Sequence, residues 1–250
     1  MDNADKVQMN YMSIVEEWQL QPIKDISDID LILHDFRVLF AYNSGRIENE
    51  NFNYNDICSI FENGELSGYA GDVLTLNEQR NQKDCYEVLK PYIVKRQPLS
   101  VDLLKKMHFA LCKDTYDENR LSKGEQPGEL KKNNYGVGYL DVGSYASEVV
   151  GDLTEVLEDI NSYTGDRILD AAAYLHACFE NIHPFADGNG VVGRTMMNYY
   201  LMIHDHPPIV VFDEDKKLYY HALEAFDRSE ELEPLLTFLT SQGEKTWGRV

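Results

Sequence analysis

Basic side chains are scarce in this chain. Its 250 residues carry 23 Lys and Arg against 43 Asp and Glu, a formal net charge of −20 at pH 7. That balance excludes broad electrostatic binding to nucleic acid or to an anionic membrane. An anionic ligand therefore has to be held by a local device that overrides the field of the whole molecule. Cysteine is sparse too. Cys58, Cys85, Cys112 and Cys178 lie far apart with no CxxC pair, and they read as reduced structural thiols, not as a metal or redox site. No apolar run approaches the roughly 18 residues of a spanning helix. The first ten residues, MDNADKVQMN, lack the basic start and apolar stretch of a signal peptide. A cytoplasmic chain is expected. Internal repeats and a Pro/Ser/Gly-rich linker are also missing, which favours one compact unit with an N-terminal extension.

What is present is the composition of a globular protein, with 43% hydrophobic residues, 11% aromatics and sixteen tyrosines. Helical periodicity dominates. Residues 28–42, 71–95, 100–113, 144–163, 166–182, 191–204 and 215–226 each place apolar side chains at i, i+3, i+4 spacing. NNYGVGYLDV at 133–142 alternates as a short hairpin would. The segment from 166 to 204 is a helix, a glycine-rich turn and a second helix.

That turn, HPFADGNGVVGR at 183–194, concentrates unusual chemistry. Gly188 and Gly190 free the backbone so that successive N–H groups can face one concavity. A helix N-terminus directly after them adds unpaired donors and the positive end of the dipole, a combination that favours phosphate. Arg194, one turn on, offers a guanidinium fork to a further phosphate. Asp187 is placed to hold Mg²⁺ beside bound phosphates, and His183 has the pKa range of a general base at neutral pH. Singly, each residue has an ordinary structural reading as a cap or turn. Together they describe a phosphoryl- or nucleotidyl-transfer site. Zinc binding by His176, His183, His204 or His206 finds no support in an HExxH-like pair or a cysteine ligand.

His183, Pro184, Phe185, Asp187, Gly188, Asn189, Gly190 and Arg194 resemble the motif of the Fic/Doc family, His-Pro-Phe-x-Asp/Glu-Gly-Asn-Gly-Arg-x-x-Arg. Val191 stands where the first arginine is usual. The resemblance extends from about residue 30 to about residue 240. It implies an all-α, Fic-like helical domain with a small β-hairpin flap, and an activity that transfers AMP from ATP to a Ser, Thr or Tyr hydroxyl of a target protein. It further implies His183 as the base, Asp187 as the Mg²⁺ ligand, Gly188, Asn189 and Gly190 as the anion hole, and Arg194 as the grip on the γ-phosphate. The flap, Asn134, Tyr135, Gly136, Val137, Gly138 and Tyr139, would align the target segment by strand addition. Tyr219 and Tyr220 would contact the nucleobase, with Asp227 at a position where Asn is common.

Ser44-x-x-x-Glu48-Asn49 in turn resembles the inhibitory motif of the self-inhibited members of the family, those with an N-terminal inhibitory helix. A Glu48 carboxylate set against Arg194 would occupy the guanidinium and repel an incoming anion. The expectation is an N-terminal helical region over 1–95, a Fic core over 96–240 and a tail over 241–250. The expected function is auto-inhibited adenylyl transfer to a target protein or to the chain itself; the sequence leaves the oligomeric state, a homodimer included, open. Removal of AMP, transfer of another nucleotide or phosphoryl group, and a catalytically silent nucleotide-binding module stay open as alternatives. Val191 leaves two expectations open: low activity from the missing charge, or its offset by a nearby lysine such as Lys131 or Lys132.

Overall fold

The computed structural model describes residues 10–66, 68–137 and 140–248. Helices follow one another along the chain: α1 (Tyr11–Gln19), α2 (Ile26–Ile32), α3 (His34–Glu48), α4 (Tyr54–Asn63), α5 (Val73–Val94), α6 (Val101–Cys112) and the short α7 (Glu118–Ser122). An antiparallel hairpin, β1 (Tyr135–Val137) and β2 (Leu140–Val142), pairs Tyr135 with Val142 and Val137 with Leu140. Then come α8 (Val149–Ser162), α9 (Ile168–Ile182), α10 (Asn189–Ile203), α11 (Lys216–Ser229) and α12 (Glu233–Trp247). The fold is helical, as the periodicity predicts.

The differences from the sequence expectation lie at helix ends and in helices outside the stretches marked by apolar spacing. The 28–42 stretch is divided between α2 and α3 at Leu33. A capping box in which Asp25 and Asp28 satisfy each other's amides starts α2. Four helices, α1, α4, α7 and α12, fall outside the predicted stretches; α7 is a single short turn with no buried residue, and the other three each bury an apolar face: Tyr11, Ile14, Val15 and Trp18 on α1, Ile57, Ile60 and Phe61 on α4, Leu235, Phe238 and Leu239 on α12. Helix α12 continues past residue 240 to Trp247, whose ring packs edge-on to Trp18 at 5.4 Å and stacks on Phe36 at 5.9 Å. One core cluster joins residues from Tyr11 to Leu239, so the N-terminal helices and the motif helices share their hydrophobic interior. No described helix is long and apolar enough to cross a membrane.

The centre of this interior is the pair α9 and α10. Ala171, Ala172 and Ala173 give α9 a small-residue surface that lets its neighbours approach. Every residue of α10 from Val191 to Ile203 is buried. Helix α3 packs against α5 and α10, which brings its last turn to the first turn of α10. The loop between α9 and α10 is thus held at the convergence of α3, α5 and α6.

Candidate functional site

His183 closes α9 in the left-handed region, φ 52°, with its amide donating to Phe179 O at 2.9 Å. The loop that follows is clamped on both sides. The Lys131 amide donates to Pro184 O and the Ser144 amide to Ile182 O, each at 2.9 Å. Within the loop the buried Asn189 side chain clasps Phe185, accepting from its N–H and donating to its C=O, both at 2.9 Å. Phe185 is fully buried and stacks on His108 of α6 at 3.9 Å between centroids.

His108 was not singled out from the sequence, and it fixes the turn. Its Nδ1 accepts from the Gly128 amide at 2.7 Å, so Nε2 carries the proton and donates to Asp187 O at 3.0 Å. Burial lowers its pKa to about 4, which keeps the ring neutral. Gly188 has φ 75°, and a Cβ there would collide with Cys112 Sγ, so this turn requires glycine. Gly188 caps α10. The first intrahelical bond runs from Val192 N to Gly188 O, leaving the amides of Asn189, Gly190 and Val191 without an intrahelical acceptor.

Arg194, about one turn into α10, is 1% exposed. Its Nε donates to Ser44 Oγ at 3.0 Å, and its Nη2 donates to Ser44 O at 3.0 Å and to Glu48 Oε1 at 2.7 Å. The Glu48 carboxylate also lies against the backbone of Gly190, where an added Cβ would collide with it. The two resemblances noted in the sequence, at 44–49 and at 183–194, therefore meet at one guanidinium. Burial alone would lower the Arg194 pKa; the nearby charges, Glu48 foremost, outweigh it and hold the group above its ordinary value.

Beneath Arg194 lies a buried polar cluster. Tyr219 OH and His176 Nε2 are 2.7 Å apart, and the Arg194 guanidinium sits 5.8 Å over the Tyr219 ring. Glu180, one turn before His183, is driven up to about 7 by burial, against the lowering effect of Arg194. Tyr219 is 1% exposed and so offers no face to a nucleobase from outside; it supports Arg194 instead. Tyr220 is 46% exposed and available for such a contact. Asp227 Oδ1 accepts from Asn181 Nδ2 at 2.9 Å.

His183 has its pKa lowered by burial and by the positive charge of Lys131, so it is neutral and able to accept a proton near pH 7. Asp187 is exposed; its Oδ1 accepts from the Gly188 amide at 2.9 Å and its Oδ2 is paired with Arg120 Nη2 at 2.9 Å. A carboxylate oxygen suits a hard cation such as Mg²⁺. Among the described residues no group of three His, Cys, Asp or Glu converges on a metal site. Asp187 would thus hold Mg²⁺ only together with phosphate oxygens and water, the usual manner of a nucleotide-bound ion.

Val191 lines a cavity of about 170 Å³ with Glu48, Asn49, Glu78, Thr115 and Asp187. Neither Lys131 nor Lys132 reaches it as a lining residue. Lys131 Nζ is buried, 3.5 Å from Ile182 O, and Lys132 Nζ donates to Gly124 O at 2.8 Å. At the hairpin, Asn134 Oδ1 accepts from the Ala146 amide, and Tyr135 OH donates to the buried Glu125, which also receives the amides of Lys132 and Asn133. Gly136 and Val137 complete β1; Gly138 and Tyr139 of the expected flap lie outside the described residues.

Residues 98–201, from α6 into α10, match the model of the Fic/DOC family. Over that stretch the chain is similar to the Fic/DOC family domain. It is 28% identical over 158 residues to the protein adenylyltransferase Fic of Drosophila persimilis, and equally so to that of Drosophila mojavensis. Those alignments cover 59% of this chain and 30% of each relative, so the chain spans under a third of their length. A Fic domain containing signaling protein from Bacteroides thetaiotaomicron shares the fold with TM-score 0.77 at 21% identity, covering 95% of this chain and 94% of the other. Fic-1 from C. elegans does so with TM-score 0.75 at 20% identity, covering 94% and 68%. Helix α3, which brings Ser44 and Glu48 to Arg194, lies outside the region matched as the Fic/DOC domain.

Proposed function

We propose that this chain is a protein adenylyltransferase, using ATP and Mg²⁺, that is held inactive by Glu48. The observation that carries the proposal is the buried Arg194 guanidinium bound by Glu48 above the free amides of Asn189, Gly190 and Val191. A triphosphate seated on those amides would meet the positive end of α10 and, once Glu48 leaves, the Arg194 fork. Mg²⁺ on Asp187 would neutralise phosphate charge. His183 takes the proton from a target hydroxyl, whose oxygen forms a bond to the α-phosphorus as the bond to the β-phosphate oxygen breaks and pyrophosphate leaves. Positioning and charge stabilisation would carry most of the rate. Tyr220 and Asp227 remain the nucleobase contacts in this reading, and β1 the strand to which a target segment adds.

Incubation with Mg²⁺ and α-labelled or γ-labelled ATP tests the reaction. Transfer of α-label to protein by Glu48→Gly, lost in Glu48→Gly/His183→Ala, is the expected result. Transfer of γ-label alone means phosphorylation and removes the adenylyl reading.

A further inference from the structure

In the proposed function the loop between α9 and α10 receives phosphate, yet its walls are acidic. Glu48, Glu78 and Asp187 line the cavity beside Val191. Burial raises the pKa of Glu78, the hydrogen bond from Asn49 opposes the rise, and the nearby charges of Asp187, Asp72 and Glu48 add to it. Of the cations around the loop, Arg194 is engaged by α3, Lys131 Nζ is 3.5 Å from Ile182 O with its charge felt at His183, and Lys132 is turned to Gly124 O. On the α7 side, Arg120 meets the loop. Its Nη2 is 2.9 Å from Asp187 Oδ2 and its Nη1 is 2.6 Å from Asp117 Oδ2, with the Tyr116 ring 5.9 Å from the guanidinium carbon.

We propose that Arg120 is a phosphate-binding residue of the nucleotide site, supplying from α7 the positive charge that Val191 does not supply from α10. The proposal rests on the nucleotide reading above. Arg120 does not itself line the cavity, but the Asp187 carboxylate it holds does, and Asp187 immediately precedes the cap of α10, so the guanidinium stands one residue from the N-terminus of that helix. Asp117, the cap of α7, holds the other edge of the fork, and Tyr116 limits its movement. The side chain is therefore already ordered, and exchanging Asp187 for a phosphate oxygen costs little conformational entropy. Arg120 is about a third exposed, so the exchange needs no opening of the core.

The test is isothermal titration of ATP and of adenosine, in excess Mg²⁺, into Glu48→Gly and into Glu48→Gly carrying Arg120→Ala, Arg120→Gln or Arg120→Lys. Removing one charge-assisted contact should weaken ATP binding roughly tenfold in the Ala and Gln variants. The Lys variant should recover part of the loss, and adenosine affinity should not change. The Gln variant keeps a donor for Asp117 and carries the test if thermal unfolding shows that the Ala variant does not fold. ATP affinity that is unchanged or tighter without the charge overturns the proposal, because Arg120 then only pairs with or blocks Asp187. An equal loss for adenosine also overturns it. If Glu48→Gly itself binds no ATP, the nucleotide reading fails before Arg120 is at issue.

Discussion

Arg194 Nη2 and Glu48 Oε1 lie 2.7 Å apart although 146 positions separate them in the chain. The pair is asymmetric: the Arg194 side chain is 1% exposed and that of Glu48 is 45% exposed. A buried guanidinium cannot leave without a large desolvation cost, whereas a half-exposed carboxylate at the end of α3 can. In the proposed function the movable part of the latch is therefore Glu48, and the phosphate chain of the nucleotide would replace it.

Glu48→Gly should lower the stability of the ligand-free protein, by about 1–3 kcal/mol, because Arg194 loses its counter-charge but keeps Ser44. ATP with Mg²⁺ should then stabilise the variant more than the wild type, since binding to the folded state adds to its stability. Thermal unfolding of both proteins with and without ATP checks this. An equal shift would mean that Glu48 does not compete with the ligand.

Ser44→Ala removes the acceptor of Arg194 Nε inside the protein. A buried donor left unpaired costs about 1–3 kcal/mol. Urea unfolding should show a loss of this order, and transfer activity should rise by less than in Glu48→Gly, because the carboxylate is still in place.

Asn189→Ala should act on the loop and not on the chemistry. Its side chain closes two buried hydrogen bonds to Phe185, so the variant should lose about 2 kcal/mol or more and bind ATP poorly. His183→Ala should instead bind ATP and fail to transfer. Paired titration and activity assays separate the two.

Stability should fall on acidification. Burial depresses His108 to about 4 and His176 to about 3, so below the ordinary histidine value of about 6.5 the unfolded chain gains protons that the folded chain refuses. Glu180 works in the opposite direction. Raised to about 7, it contributes stability below the ordinary carboxyl value and loses it as pH rises through about 7. The two histidines outweigh it, so the unfolding temperature should drop between about pH 7 and about pH 5. Glu180→Gln should gain more over the wild type at about pH 8 than at about pH 5. A gain independent of pH would place the Glu180 proton elsewhere.

Much of this was legible in the sequence because it is carried by local pattern. Apolar spacing marked α5, α6, α9 and α10 to within a few residues, and HPFADGNGVVGR marked the turn between the last two. The approach of Glu48 to Arg194 was legible only through the motif resemblance, since nothing in the spacing of 44–49 names a partner on α10. What escaped is what depends on packing between distant segments. His108 reads as one more residue of an amphipathic helix until Asp187 O and the Gly128 amide are seen on its ring. Arg120 reads as a surface charge until α7 places it on Asp187. Tyr219 and Tyr220 are indistinguishable as neighbours in a helix, yet helical rotation buries the first under Arg194 and leaves the second near the surface.

The most direct test of the account is the intact mass of the chain after incubation with Mg²⁺ and ATP, with and without a proteinaceous acceptor carrying free hydroxyls, for wild type, Glu48→Gly and Glu48→Gly/His183→Ala. The account predicts little or no adduct on wild type, a mass increase of one AMP unit on the Glu48→Gly chain or its acceptor, and none with the double variant. Equal AMP addition by wild type and Glu48→Gly, or addition that survives His183→Ala, would contradict it.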